Sequence, residues 1–196
     1  MAVQNRTHPS FGAKSQRWNF FALSYKGGQD YVDEHLIQDP KESEENFKNR
    51  KDHAYRSNNC KRVVNLINSY IFKETATRKT ENVSLKKFID DSDAQGRDIG
   101  KFMNKASIWA SIFGRIYIVI DKKVSGLEGS YANVVNNIPY CYIVYPTNVR
   151  DVGFDDFGNI TWCLIEESYR EGAETFDTAK DKLSKDRKST RLNSSH

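Results

Sequence analysis

The sequence predicts an α+β protein in which N-terminal helices pack on a small, mainly antiparallel β-sheet. Two observations carry this reading. Up to Phe113 the apolar residues recur at three- and four-residue steps, and from Arg115 they collect in short runs rich in β-branched and aromatic residues, bounded by turn formers. There is no internal repeat, and helices followed by strands argue for α+β over alternating α/β. The 196 residues amount to about one domain. Their apolar fraction, 38% with Tyr counted, falls below the ~45 to 50% of a self-contained globule. That deficit fits a polar domain or one part of an assembly.

Residues 1–38 are expected to form an N-terminal arm, with an aromatic cluster of Trp18, Phe20, Phe21 and Tyr25 ahead of Gly27-Gly28 and a short helix around Asp30 to Leu36. Asp39-Pro40-Lys41-Glu42 has the make-up of a helix start. Asp caps free N–H groups, Pro tolerates the first helical position, and Glu three residues on completes a capping-box pattern. A highly polar helix is expected from Pro40 to about Ser57, with Phe47, Ala54 and Tyr55 as its apolar contacts and most of its circumference facing solvent or a partner. After Ser57-Asn58-Asn59, the residues Cys60, Val63, Val64, Ile67, Tyr70 and Ile71 keep helical spacing, so this helix is expected to bury one face in the core. A polar connector, Thr75 to Asn82, leads to a helical turn with Leu85, Phe88 and Ile89 and then to the acidic stretch Asp90 to Asp98. Ile99, Phe102, Met103, Ala106, Trp109, Ala110 and Phe113 mark the best-defined helix, closed by Gly114. Strands are expected at Ile116 to Ile120, Tyr140 to Tyr145, Val149 to Phe154 and Ile160 to Ile165, all in one sheet. The hairpin loop Asp155-Asp156-Phe157-Gly158-Asn159 joins the last two, and a longer excursion from Gly126 to Asn137 separates the first two.

Charge names no partner by itself. Lys plus Arg is 30 against 26 Asp plus Glu, a net of +4, far from the positive density with which a dedicated nucleic-acid binder displaces counterions. Met1 to Lys14 holds no continuous apolar stretch, and the apolar run Tyr140 to Tyr145 is much shorter than the ~20 residues of a membrane helix. A soluble, intracellular protein with no membrane partner is expected. Cys60, Cys141 and Cys163 are odd in number and far apart, and each is expected to act as a small core hydrophobe.

Candidate chemistry is sparse. Asp91, Asp93, Gln95 and Gly96 fall at positions one, three, five and six of a calcium loop, but position twelve is Phe102 where the ion needs a bidentate Glu. The simpler reading is a turn, with Asp98 favouring the positive end of the following helix. The alternative function is a metal-dependent nuclease, in which Asp90, Asp91, Asp93 or Asp156 and Glu166 or Glu167 would hold magnesium near a lysine; no Glu-x-Lys follows the hairpin. Asp156-Phe157-Gly158 copies a kinase tripeptide without the glycine-rich loop, strand lysine or His-Arg-Asp element, so it is read as a turn. His8, His35 and His53 lack zinc-helix spacing, and no phosphate loop occurs. The basic residues Arg50, Lys51, Arg56, Lys61 and Arg62 are mixed with Glu44, Glu45 and Asp52, the mark of a solvated or subunit-facing helix more than of a phosphate-binding one. No catalytic residue, metal ligand or cofactor-binding residue is assigned, and no enzymatic activity is expected.

The order of segments resembles the portal proteins of tailed phages, the head-to-tail connector subunits. The matching segments begin with Gly27-Gly28 leading to Tyr31, Glu44 to Arg50 with Phe47, and Ala54-Tyr55-Arg56-Ser57-Asn58 running into Val63 to Ile71 and Phe72-Lys73. They continue with Asp91-Ser92-Asp93-Ala94-Gln95-Gly96-Arg97-Asp98-Ile99 before Phe102, then Phe113-Gly114-Arg115 entering Ile116 to Asp121. Ile138-Pro139-Tyr140 opens a strand reaching Tyr145-Pro146, and the hairpin with Gly158 runs into Ile160 to Glu167. The specificity lies in their joint order over roughly residues 25–170, since no single segment is diagnostic.

The resemblance implies a structural subunit of the ring, typically dodecameric, at one capsid vertex, through which DNA is packaged and ejected without sequence-specific contact. It implies the virion as location, with assembly in the host cytoplasm. Implied partners are further copies of the chain, the terminase motor, the capsid or scaffold protein and a tail adaptor, with no catalysis by the portal itself. Portal subunits are usually much longer, and the present segments match the N-terminal arm and wing. The expectation is therefore a fragment that stops before stem and clip, divided into the arm 1–38, a wing-like α+β region 39–170, a polar linker 171–185 and a non-native or disordered tail 186–196. Half of the net charge lies in that tail, which has three basic residues against one acidic, so the remainder is close to neutral.

Overall fold

The structure, a computed structural model, describes residues 6–122, 139–170 and 183–191. The described residues are α+β, with six α-helices and two small antiparallel sheets. The helices are α1 (Phe11–Lys26), α2 (Gln29–His35), α3 (Glu44–His53), α4 (Asn59–Ile71), α5 (Val83–Asp90) and α6 (Ile99–Phe113). The strands are β1 (Tyr117–Lys122), β2 (Pro139–Val144), β3 (Val149–Phe154), β4 (Ile160–Arg170) and β5 (Leu183–Arg191). Two compact units divide the chain, one formed by Asn19–Ile143 and the other by Met1–Trp18 with Val144–His196.

In the helical unit, α6 is the central element. Asp98 caps it by accepting from the Lys101 N–H at 2.9 Å, and Gly114, left-handed at φ 77°, ends it by donating to the Ala110 carbonyl at 2.8 Å. Phe102, Ala106, Ile112 and Phe113 are buried along it. This helix, α2 and α5 fall where the sequence predicts them. Helix α1 was not predicted. Its apolar residues, Phe11, Trp18, Phe20, Phe21, Leu23 and Tyr25, are spread around the circumference, so no periodic stripe announces it.

Helix α3 is shorter than the predicted Pro40 to Ser57 stretch. Asp39 and Glu42 make one half of a capping box, the Glu42 side chain reaching back to the Asp39 N–H, but their contacts close a local turn. The Asp39 carboxylate accepts from the Lys41 N–H at 2.8 Å, the Asp39 N–H reaches Glu42 Oε2 at 3.4 Å, and the Glu42 N–H donates to the Asp39 carbonyl at 2.9 Å. The helix starts instead behind Ser43, whose hydroxyl accepts from the Asn46 N–H at 3.3 Å. Helix α4 also departs from expectation. Val64 is half-buried and Asn68 buried, whereas Val63, Leu66, Ile67, Tyr70 and Ile71 are each more than half exposed. The apolar stripe that predicted a core helix faces outward. On the inner side Asn68 donates to the Asn104 side-chain oxygen of α6 at 3.0 Å.

The strands form two sheets where one was predicted. Strands β1 and β2 pair with each other, and β3, β4 and β5 make a three-stranded antiparallel sheet in that order. Between β2 and β3 the buried Pro146 opens a 3-10 turn over Pro146–Asn148, and a residue without an N–H, fixed in φ, is a natural break in pairing. The predicted hairpin at 155–159 joins β3 to β4 as expected. Residues 183–191, expected within the linker and tail, form β5 on the far edge of β4. Main-chain pairing needs no apolar side chain, so composition does not reveal such a strand. The excursion from Gly126 to Asn137, residues 171–182 and the end of the tail lie outside the described residues.

Val149, Cys163, Leu164 and Ile165 are buried in the sheet unit. A register shift between Val149 and Asp151 leaves Arg150 as an extra residue on β3. Arg150 and Asp151 each find a partner. Arg150 pairs with the nearly buried Glu166 and covers the Phe11 ring at 4.6 Å; Asp151 pairs with Arg6 at 2.6 Å, and Arg6 lies over Trp162 at 5.0 Å. The His8 N–H donates to the Arg150 carbonyl at 3.0 Å. Residues 6–11 are thus fastened to β3.

Gly153 stands opposite Trp162 in the ladder, and a Cβ at that position would overlap the indole ring. Gly153→Ala therefore forces Trp162 off its place over the strand and should cost ~1 to 3 kcal/mol, the range for overpacking. Thermal denaturation should show a lowered Tm, and a Tm equal to or above the parent's would contradict the packing described.

Candidate functional site

The acidic stretch folds into a closed loop before α6. Asp91 Oδ1 accepts from the Gln95 and Gly96 N–H groups at 3.1 and 2.9 Å. Asp93 Oδ1 accepts from the Gln95 and Arg97 N–H groups at 3.0 and 3.3 Å, and its other oxygen pairs with the Arg97 guanidinium at 3.2 Å. Ala94 and Gly96 turn the chain with φ of 56° and 83°. The Lys101 N–H and ammonium hold the Asp98 carboxyl below the usual carboxylate range. These carboxylates serve the backbone and neighbouring cations.

The buried Ser92 anchors the loop. Its N–H and hydroxyl both donate to the Arg97 carbonyl, at 2.8 and 3.1 Å, while its own carbonyl accepts from Cys141 N–H at 2.7 Å and Sγ at 3.1 Å. The loop thereby ties the start of α6 to β2. Of the other carboxylates considered for magnesium, Glu166 is paired with Arg150, and Asp156 sits at the hairpin tip. No group of three or more His, Cys, Asp or Glu side chains that could hold a metal occurs among the described residues.

A second set of residues joins segments distant in sequence. The Asn58 side-chain oxygen caps α4 by accepting from the Lys61 N–H at 2.9 Å, and its amide donates to the Tyr25 carbonyl at the end of α1 at 2.7 Å. Gly27, at φ +67°, lets the chain pass so close that an added Cβ would sit 2.5 Å from the Asn58 amide nitrogen. Tyr25 in turn donates to Asn65 Oδ1 at 2.8 Å and meets the Trp109 ring at a centroid distance of 6.0 Å. Two residues before Asn58, the Arg56 guanidinium lies 3.7 Å over the Tyr31 ring of α2. Gly27, Tyr31, Arg56 and Asn58 come from the first and third of the segments that carry the portal resemblance.

The basic residues weighed as a nucleic-acid footprint are largely engaged. Arg50 holds Glu42 through two bonds of 2.9 and 2.7 Å and also donates to the Ile37 carbonyl at 3.0 Å, an arrangement that keeps the Glu42 carboxyl below its ordinary range. Lys51 pairs with Asp33 at 3.3 Å, and Arg56 covers Tyr31. Lys61 and Arg62 stand exposed at the start of α4. The histidines are dispersed: His8 bonds Ser10, His53 bonds the Asn49 carbonyl, and His35 lies between Phe20 and Tyr31. Among the described residues no helix is long and apolar enough to cross a membrane.

The hairpin tip is closed by hydrogen bonds to Asp155. Asp155 Oδ1 accepts from the Phe157 and Asn159 N–H groups at 3.0 and 2.7 Å, and Oδ2 accepts from the Asn159 amide at 3.0 Å, which lowers the Asp155 pKa. The sequence points to Asp156 of this hairpin as a candidate metal ligand, but it does not mark Asn58 as a functional residue. For Asn58 the signal was present, since Asn directly before a periodic apolar run is an N-cap pattern. No family model matches this chain, and no curated protein matches it at a significant level.

The cysteines divide into two kinds. Cys141 and Cys163 are buried as predicted, but Cys60 is exposed because the outer side of α4 is uncovered. Burial raises the Cys141 thiol, and burial together with the Asp151 charge pushes Cys163 up to about 11. A thiol-specific chromogenic reagent at pH 8 should titrate one thiol quickly in the native protein and the other two only on unfolding. Fast reaction of two or three thiols would contradict this placement.

Proposed function

We propose that the chain is the arm and wing region of a tailed-phage portal subunit, a structural protein of the ring at the capsid vertex through which DNA is packaged and ejected. The observation that carries the reading is the joint order of the resembling segments over roughly residues 25–170. In the fold, segments 27–31 and 54–58 meet around Asn58, and segment 91–99 is tied to β2, so these segments lie in one helical unit. The low apolar fraction and the outward apolar stripe of α4 are what a ring subunit with covered faces would have. On this reading the partners are other copies of the chain, the terminase motor, the capsid or scaffold protein and a tail adaptor. DNA would pass through the ring without specific contacts.

The acidic stretch Asp90 to Asp98 favours a structural role over the nuclease alternative, because Asp91 and Asp93 are engaged by the loop's own N–H groups and Arg97. Electron microscopy of the complete gene product tests the proposal. A closed ring, typically of twelve subunits, is expected; a monomer under every condition would overturn it. Neighbouring reading frames encoding a large terminase subunit and a capsid or scaffold protein are expected on the same grounds.

A further inference from the structure

Two surfaces of the chain carry apolar groups in water, and their charges are opposite. The first is the outer face of α4. Val63, Leu66, Ile67, Tyr70 and Ile71 follow the i, i+3, i+4, i+7, i+8 spacing of a single stripe, and each is more than half exposed. The helix has no acidic residue, and Lys61 and Arg62 stand exposed in its first turn. The second is the tip of the β3–β4 hairpin, where Phe157 is 91% exposed and Phe154 is 61% exposed. Single exposed apolar side chains are ordinary on protein surfaces. This pair is held on a turn fixed by the three hydrogen bonds that Asp155 accepts, a bond from the Asp155 N–H to the Asn159 carbonyl, and Gly158 at φ +82°. Asp156, exposed beside Phe157, holds none of those bonds.

A rigid aromatic projection loses little freedom when it docks, and aromatic anchors of this kind are typical centres of interfaces. We propose that the hairpin tip of one copy docks on the outer face of α4 of a second copy. Phe157 and Phe154 cover the stripe around Ile67, and Asp156 faces Arg62, which flanks the stripe one turn before Leu66. The contact is head-to-tail: each chain offers its hairpin to one neighbour and its helix to another. This inference rests on the ring reading above and names the surfaces by which copies would meet. A hairpin tip on a helix ~20 Å long buries less than the ~1,200 Å² of a standard stable interface. Pairwise association is therefore weak and concentration-dependent, and further copies reinforce it.

Sedimentation of the 196-residue chain over a concentration series tests the proposal, with circular dichroism and melting as controls on folding. The parent chain is expected to associate. Phe157→Ser and Ile67→Lys should each raise the dissociation constant ~30-fold, the effect of removing an interface anchor, with helix content unchanged. Because the two variants spoil different surfaces, mixing them should restore one good contact and give a dimer and nothing larger. Asp156→Lys should weaken association, and Arg62→Glu in the same chain should restore it. Association that survives both single variants overturns this contact and leaves the ring reading intact. Loss with Ile67→Lys alone shows that another surface covers α4 and also overturns it. Absence of association at every concentration overturns the contact and leaves the ring reading to electron microscopy of the complete gene product.

Discussion

One side chain, Asn58, holds the helical unit to its register. The end of α1 presents carbonyls with no partner in the helix, and the start of α4 presents N–H groups in the same state. Asn58 answers one of each, through its amide to Tyr25 and its oxygen to Lys61. Each bond contributes only ~0.5 to 1.5 kcal/mol, but their geometric effect is larger. They fix where α1 stops relative to α4, and only glycine at position 27 leaves room for the approach. Tyr25 against Trp109 and Arg56 over Tyr31 then follow from that placement.

The same economy appears in the acidic loop. A run of carboxylates that looks like an ion site instead folds back on its own N–H groups and on Arg97, with Ser92 buried at its centre. Its product is positional: Cys141 and hence β2 are held to the segment that starts α6. Arg150 and Asp151, adjacent on β3, do comparable work in the sheet unit by pairing with Glu166 and Arg6. Polar side chains thus fasten this protein at points where a richer core would use apolar ones, which accords with its composition.

Much of the fold was legible because periodicity and caps speak locally. Helix α6 shows both, with Asp98 before its apolar steps and Gly114 after them, and the strands with their hairpin follow from β-branched runs around Gly158. What escaped was decided by distant partners. Helix α1 has no stripe, the cap at Ser43 outcompeted the pattern at Asp39, and the strands pair as two sheets with the Pro146–Asn148 turn between β2 and β3. Helix α4 is the instructive case. Its period correctly gives a helix with an apolar face, but the period is blind to whether that face meets the chain's own core or another molecule. The site was legible to a similar degree: the segments that carry the portal resemblance include Gly27, Arg56 and Asn58, whereas their mutual contacts depend on a fold that brings residues 27 and 58 together.

The bridge at Asn58 is open to direct measurement because one substitution separates its two functions. Asn58→Asp keeps an oxygen to cap α4 and loses the amide that reaches Tyr25. Native-state hydrogen exchange of this variant should show the Gly27 amide, which bonds the Leu23 carbonyl at 2.7 Å, losing protection ~10-fold or more, as the loss of ~1.4 kcal/mol implies. The Lys61 amide should remain as protected as in the parent. Unchanged protection at Gly27 would contradict the account, since α1 would then be held in place without Asn58.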